Sequence, residues 1–132
     1  MKKLLIVIFL INFIILSAYS IHYSNEFKIK KYLNPFLKKH NFNFEKICIL
    51  EADNLNEFTV ITKLPYSYTA GAYIQNKDEK DYIVILPIYI LKKKGIFEKT
   101  IVHEMLHHYL TKYFKMPGPY QEQFIKNYLK KF

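Results

Sequence analysis

Apolar residues form an almost continuous block at the start of the chain and shorter, interrupted segments after it. The first block, residues 4–16, directly follows Lys2–Lys3. Basic residues followed by an apolar run are typical of an export signal, with cleavage after Ser20 as one outcome. The eighteen residues Leu4–Ile21 are also long enough to span a bilayer as an uncleaved anchor. We therefore predict that residues 1–21 are a signal peptide or an N-terminal membrane anchor, which places the remainder outside the cytoplasm.

The pattern beyond this block predicts a single small α+β domain over residues 22–132. Helical periodicity indicates an N-terminal helix over Ser24–His40, with Ser24 as its cap. Clusters of β-branched and aromatic residues predict about four strands. These strands are expected at Phe44–Leu50, Glu57–Leu64, Tyr68–Ile74 and Asp81–Leu86.

Turn and cap residues divide the rest of the chain. The polar segment Asn76–Lys80 predicts a hairpin turn between the last two strands. Gly95 is expected to end a short helix over Ile88–Lys93. A long helix over Phe97–Phe114 follows, and Pro119 then opens a final helix, Tyr120–Lys131.

Composition excludes two classes of protein. The formal net charge is +9, yet all twenty basic residues are lysine and none is arginine. A nucleic-acid reader would use arginine for bidentate contacts, so we predict no nucleic-acid partner and interpret the lysines as a solvated surface, with adhesion to an anionic envelope as the alternative. The single cysteine, Cys48, excludes an intramolecular disulfide. Its aliphatic neighbours favour a buried strand residue over a reactive or metal-binding thiol.

The long predicted helix contains the pattern His-Glu-x-x-His at His103–His107. Residues four apart lie one above the other on a helix, so the two imidazoles can converge on one Zn²⁺. Glu104 lies about 100° further round, where its carboxylate can act as a general base on a metal-bound water. The alternative is an ordinary core helix with satisfied histidines. The residues that flank the motif argue against this alternative, because they are uncharged and predict a buried helix, in which three ionisable groups need partners or a function. These flanking residues are Ile101, Val102, Met105, Leu106, Tyr109 and Leu110.

A catalytic zinc normally has a third protein ligand. A histidine six residues after the second is absent, because Tyr113 stands there. His108 points about 100° away from its neighbour and is interpreted as a packing or supporting residue. The carboxylate of Glu122 is the one acidic side chain downstream of His107. We therefore predict His103, His107 and Glu122 as the metal ligands.

Three stretches of this chain resemble the catalytic core of gluzincin metallopeptidases, most closely the small single-domain minigluzincins. The resemblance covers roughly residues 65–130 and is carried by Thr69–Tyr73 with Ile83–Pro87, by Val102–His108, and by Pro119–Phe124.

This resemblance implies a zincin-like fold, in which a small mixed sheet packs on the motif helix and a second helix follows. It implies one Zn²⁺ held by His103, His107 and Glu122, with Glu104 as catalytic base and a peptide or protein as substrate. It also implies an edge strand that pairs with the substrate, matched here by Asp81–Leu86. Relatives often show Trp-x-x-Glu-Gly around the third ligand, whereas this chain has Pro119 and Gln123 at the outer positions.

Some roles stay open at this stage. The segment that supplies Glu122 also carries Tyr120 and Tyr128, either of which is a candidate to stabilise an oxyanion. A catalytically inactive zincin-like binding module is the alternative to a peptidase. An envelope-binding basic protein with an accidental motif is a third hypothesis.

Overall fold

A computed structural model describes residues 19–76 and 80–132 of the chain. Residues 1–18 of the predicted signal or anchor, and residues 77–79 of the predicted turn, lie outside the described residues. The described chain is an α+β fold with these elements in order: β1 (Tyr19–Tyr23), α1 (Lys30–His40), β2 (Cys48–Ala52), α2 (Leu55–Thr62), β3 (Gly71–Ile74), β4 (Tyr82–Ile85), α3 (Ile88–Lys93), α4 (Phe97–Phe114) and α5 (Gly118–Leu129).

The four strands form one mixed sheet in the order β1-β2-β4-β3. β1 pairs antiparallel with β2, β2 pairs parallel with β4, and β3 pairs antiparallel with β4. The parallel pair requires a crossover, which α2 and β3 provide. β3 therefore lies at one edge of the described sheet, and β4 lies inside it.

The core forms where helices cover both faces of the central strand. Ile83, Val84 and Ile85 of β4 are all fully buried. Because successive strand residues point to opposite faces, burial of all three requires cover on both sides. α4 packs against β3 and β4, and α2 packs against β2 and β4. The sheet thus fixes the position of α4 along its edge.

The long helix has the predicted bounds, Phe97–Phe114, and the predicted burial. The six uncharged residues that flank its motif are each at most 1% exposed. The short helix Ile88–Lys93 is also confirmed. Gly95 follows it with φ +72°, a left-handed conformation that glycine adopts without strain.

The predicted strand Glu57–Leu64 is wrong, because residues 57–62 belong to helix α2 and Lys63 follows its end in a left-handed conformation. Asn54 precedes the helix in an extended conformation, and its side-chain oxygen accepts a hydrogen bond from the backbone N–H of Glu57 at 2.9 Å. Phe58 is fully buried beneath the helix. The cap and this buried anchor outweigh the strand preference of the β-branched residues.

The N-terminal region also differs from the prediction. Ser24 does not cap α1, which begins at Lys30. Its hydroxyl instead donates to the carbonyl of Glu45 and accepts from the N–H of Ile47, both at 2.8 Å. Strand β1 was not predicted, since Tyr19 and its neighbours continue the apolar run. The expected number of strands is right because β1 takes the place of the false one.

The edge of the sheet is also corrected. The resemblance assigned the edge role to Asp81–Leu86, but that segment contains β4, which is paired on both sides. The edge strand beside α4 is β3. Within the described ranges, no helix combines the length and apolar character needed to cross a membrane.

The cap of α2 gives a stability test. Replacing Asn54 with alanine leaves the N–H of Glu57 without its acceptor, and we expect the free energy of unfolding to fall by about 1 kcal/mol. Asn56→Ala, an exposed position in the first turn of the same helix, should change stability by less than about 0.5 kcal/mol. Urea unfolding measures both. Equal effects of the two substitutions would contradict the capping role.

Candidate metal centre

Helix α4 places His103 and His107 side by side on the face that borders the edge strand. Their ring centroids lie 5.0 Å apart. One helical turn separates them, so the rings extend from adjacent levels of a rigid, buried helix. Both imidazoles line an open cleft of about 690 Å³ beside β3.

Glu122 reaches the same point from helix α5. Its two carboxylate oxygens contact one histidine each, with distances of 3.2 Å to His103 Nε2 and 2.8 Å to His107 Nε2. One ligand atom from each of the three side chains lies within 4.8 Å of the others. The structure therefore brings the three predicted ligands together as a group that could hold a metal ion.

Gln121, which the sequence did not single out, fixes the orientation of His107. Its side-chain nitrogen donates to Thr111 Oγ1 at 3.0 Å and to the carbonyl of Met116 at 2.7 Å. The amide oxygen therefore faces the ring and accepts from His107 Nδ1 at 2.7 Å. With Nδ1 carrying the proton, Nε2 presents its lone pair toward Glu122, which is the tautomer a metal ligand needs.

The contact between His107 Nε2 and Glu122 is then a contact between two acceptors. Two acceptor atoms 2.8 Å apart repel each other, and a positive charge near both would relieve this repulsion. Burial lowers the pKa of the neighbouring His103 imidazole, and the charge of His107 acts in the same direction, while Glu122 opposes both. A neutral His103 has a free lone pair, so the donor set suits a divalent metal ion.

Glu104 lies deep in the cleft and is only 7% exposed. Burial raises the pKa of its carboxyl from the ordinary 4.5 to about 8, and the negative charge of Glu122 adds to this rise. A hydrogen bond from the backbone N–H of Tyr73 works against it. The carboxyl is thus held by β3 and lies beside the three ligands without joining them.

The close approach of β3 to α4 depends on Gly71. A Cβ atom at this position would lie 3.0 Å from Thr100 Cγ2 and 3.2 Å from Glu104 Cγ. Thr100 cannot easily turn away, because its hydroxyl donates to the carbonyl of Ile96 at 2.7 Å. Glycine therefore lets the edge strand run directly alongside the face of α4 that carries Glu104.

His108 takes part in a different cluster. Its Nε2 lies 2.8 Å from Glu45 Oε1, and its Nδ1 lies 3.5 Å from Asp81 Oδ2. Tyr73 donates its hydroxyl proton to the same Asp81. These contacts attach α4 to the strand hairpin. Cys48 lies at the start of β2, and burial raises the pKa of its thiol to about 11, so the thiol stays protonated.

The orientation of α5 differs from the prediction by one residue. The sequence placed Glu122, Ile125 and Leu129 on a core-facing stripe, but the buried residues are Gln121, Ile125 and Tyr128. The side chain of Glu122 is 60% exposed and reaches the cleft from its rim. A carboxylate at the rim avoids the cost of full burial while still contacting both histidines.

Comparisons with known proteins found no relative. No protein-family model, no curated protein and no solved structure matches the chain. The interpretation of the site therefore depends on its own geometry.

Gln121 offers a test of the ligand arrangement. Replacing it with alanine frees the His107 ring and removes the acceptor that fixes its tautomer, so we expect affinity for a divalent metal to fall about 10–100-fold. Gln123→Ala, an exposed glutamine two positions further along the chain, serves as the matched control and should leave affinity unchanged. Calorimetric titration of a divalent metal into each variant measures the two affinities. Unchanged affinity in Gln121→Ala would rule out the supporting role, provided that its metal-free fold is intact by circular dichroism.

The raised pKa of Glu104 predicts a pH dependence of stability in the metal-free protein. The folded state holds this proton up to about pH 8, whereas the unfolded chain releases it near pH 4.5. The native state therefore binds more protons in this window, and the free energy of unfolding should fall as pH rises from 4.5 to 8. Glu104→Gln removes this contribution, so the difference between variant and parent should grow with pH. A difference that is constant with pH would contradict the buried, protonated carboxyl.

Proposed function

We propose that this protein is a zinc-dependent metallopeptidase of the gluzincin type. One observation carries the proposal, namely that two imidazoles and a carboxylate meet within 4.8 Å beside a separate, buried glutamate. Three protein ligands with a neighbouring general base are the arrangement that catalytic zinc sites require. The resemblance of the motif helix and of the α5 segment to minigluzincins supports the same class.

Zinc is the metal that this donor set favours. Imidazole and carboxylate ligands bind Zn²⁺ at about 2.0–2.2 Å, and two such atoms in a tetrahedral site lie roughly 3.3 Å apart. The 3.2 Å between His103 Nε2 and Glu122 Oε1 already agrees with this value. The 2.8 Å pair, His107 Nε2 and Glu122 Oε2, has to open slightly.

Glu104 performs the proton transfers in this mechanism. A zinc ion held by His103, His107 and Glu122 would supply Lewis acidity to a peptide carbonyl and would make water a better nucleophile near neutral pH. A dication beside Glu104 favours its ionised form, offsetting the burial and the charge of Glu122 that raise its pKa. The carboxylate can then accept a proton from water and return it to the leaving amine. The N–H of Tyr73 keeps the carboxylate aimed into the cleft.

The substrate is an extended polypeptide that pairs with β3. Gly71, Ala72 and Tyr73 line the cleft, and β3 lies at the edge of the described sheet. The outer N–H and C=O groups of an edge strand can add a further strand by main-chain hydrogen bonds. The N–H of Tyr73 is not available for this pairing, because it bonds to Glu104. Such pairing would bring a scissile peptide bond past Glu104 without dependence on a particular side chain.

The donor that stabilises the oxyanion is reassigned. Tyr128 donates its hydroxyl proton to the carbonyl of Tyr32, away from the cleft. Neither it nor Tyr120 is among the residues that line the cleft. Tyr68 does line it, with a side chain that is 89% exposed, and we assign this role to its hydroxyl.

Localisation outside the cytoplasm is part of the proposal. It rests on the basic start and the apolar run of residues 4–16. Both a cleaved signal and a retained anchor lead to the same compartment, where the substrate would be an envelope or secreted polypeptide.

Zinc content and peptide cleavage together test the function. We expect the purified chain to contain one zinc ion by elemental analysis and to cleave a mixed peptide library. Glu104→Gln should keep the metal and lose at least about 100-fold in kcat, because it removes the general base. Glu98→Gln is the matched control, since this glutamate is on the same helix and contacts Tyr32 instead of the cleft. Glu122→Ala should lower zinc affinity by more than the roughly 100-fold expected for a supporting residue.

Results other than those expected would each support a different hypothesis about the chain. Zinc without turnover in any form of the chain would support the inactive binding module. Absence of zinc at saturating concentration would indicate an accidental motif. Unchanged zinc affinity in Glu122→Ala would remove this residue from the ligand set while leaving the histidines in place.

A further inference from the structure

The strand register defines one end of the sheet by a row of four residues. Tyr19 pairs with Ala52 across β1 and β2. Ile85 pairs with both Glu51 and Gly71, so the next residue, Leu86, continues this row. The N–H of Leu86 bonds to the carbonyl of Ala70 at 3.1 Å. We call the row Tyr19, Ala52, Leu86 and Ala70 the Tyr19 end of the sheet.

The apolar N-terminal run joins the fold at this end without a linker. Residues 4–16 are apolar but for Asn12, and three residues later the chain is already paired in β1. Cleavage after Ser20 would remove two of the five residues that β1 pairs with β2. Loss of this pairing favours retention of the segment as an anchor, which would hold the Tyr19 end directly at a membrane.

The connections at this end expose large apolar and aromatic side chains. The segment that follows α2 returns to Ala70, and α3 begins just after Leu86. α3 also ends here, because it leads to Thr100, which lies against Gly71. Tyrosine is favoured at the boundary between water and lipid. The exposed fractions are 41% for Tyr66 and 70% for Tyr89, and neither residue lines the cleft.

The charge at this end complements an anionic lipid surface. Lys92, Lys93 and Lys94 close α3, and all three lysines are exposed. Asp53 is an exposed acid at the same end, so the balance there is positive. Lysines beside exposed tyrosines are the combination that binds anionic headgroups while aromatic rings enter the interface.

We propose that the Tyr19 end of the sheet docks on the anionic surface of the bilayer into which residues 4–16 insert. Tyr66 and Tyr89 enter the headgroup region, and the lysines contact the lipid charges. The anchor and the docked face hold the domain in one orientation.

This orientation determines how the cleft meets its substrate, a step that rests on the proposed function. α4 runs away from the Tyr19 end, and His103 and His107 lie about 5 Å and 10 Å beyond Thr100 along its axis. β3 runs in the same direction from Gly71. A chain paired with β3 would therefore rise from the membrane, so the substrate class is the polypeptide segment that adjoins a membrane anchor.

Single tryptophans test the docking in the full chain. The chain has no tryptophan of its own, so each variant has a single tryptophan, which is excited selectively over the twelve tyrosines. Tyr66→Trp and Tyr89→Trp report on the Tyr19 end. Phe114→Trp is the matched control, since Phe114 is 41% exposed and lies at the far end of α4. Phe9→Trp reports on insertion of the apolar segment.

The variants are reconstituted into vesicles of phosphatidylcholine and phosphatidylglycerol that contain brominated acyl chains. We expect quenching at positions 9, 66 and 89 and none above background at position 114. An unquenched Phe9→Trp would remove the premise of insertion and overturn the proposal. Quenching at position 9 without quenching at 66 and 89, or equal quenching at 114, would show that the Tyr19 end does not dock.

Charge variants test the lipid contact separately. In the Tyr66→Trp background, joint replacement of Lys92, Lys93 and Lys94 by glutamine should reduce quenching to the background level. The control replaces Lys38, Lys39 and Lys115, three exposed lysines at the far end, where the ring of His40 lies 5.1 Å from that of Phe114. Equal effects of both sets would overturn the proposed lipid contact. Neither measurement depends on zinc or on peptide cleavage, so failure of the docking is distinguishable from failure of the peptidase proposal.

Discussion

The fold depends on the burial of a helix that is apolar on most of its circumference and still carries ionisable groups. Tyr109 and the aliphatic residues of α4 are fully buried, which fixes the helix against β3 and β4. Each polar group that it brings along must find a partner, because an unpaired one would cost several kcal/mol. β3 supplies an N–H for Glu104, and α5 supplies Gln121 and Glu122 for the histidines. The contacts that hold the site together therefore also satisfy the polar groups that become buried when α4 packs against the sheet.

The features that were predictable from sequence are those set by local residues. Gly95 ends α3 because its left-handed conformation is a property of glycine itself. The burial of α4 followed from its uncharged flanks. Where local preference and tertiary contacts disagreed, the prediction failed. The β-branched run in α2 favours a strand in isolation, but Asn54 caps a helix there and Phe58 anchors it in the core.

Long-range arrangement explains the remaining differences. The order of strands in a sheet is set by pairing between distant segments, so the sequence alone did not place β3 at the edge. Elimination among downstream carboxylates identified Glu122, but Gln121 was missed because its role depends on Met116 and Thr111 at the turn between two helices. A glutamine next to the predicted third ligand, just after a helix-breaking turn, is the signal that was available. The sequence shows the residue, but only the geometry shows which ring it contacts.

The electrostatics of the cleft link metal binding to folding. Glu104 is pushed toward its neutral form by burial and by Glu122. Burial lowers the pKa of His103, although Glu122 acts in the opposite direction. A dication at the point where the three side chains meet would offset the mutual repulsion of the two acids. Because such an ion binds the folded arrangement and has no equivalent site in the unfolded chain, its binding free energy would add to the stability of the fold. An ion in the cleft beside Glu104 would therefore stabilise the folded state as well as serve the proposed chemistry.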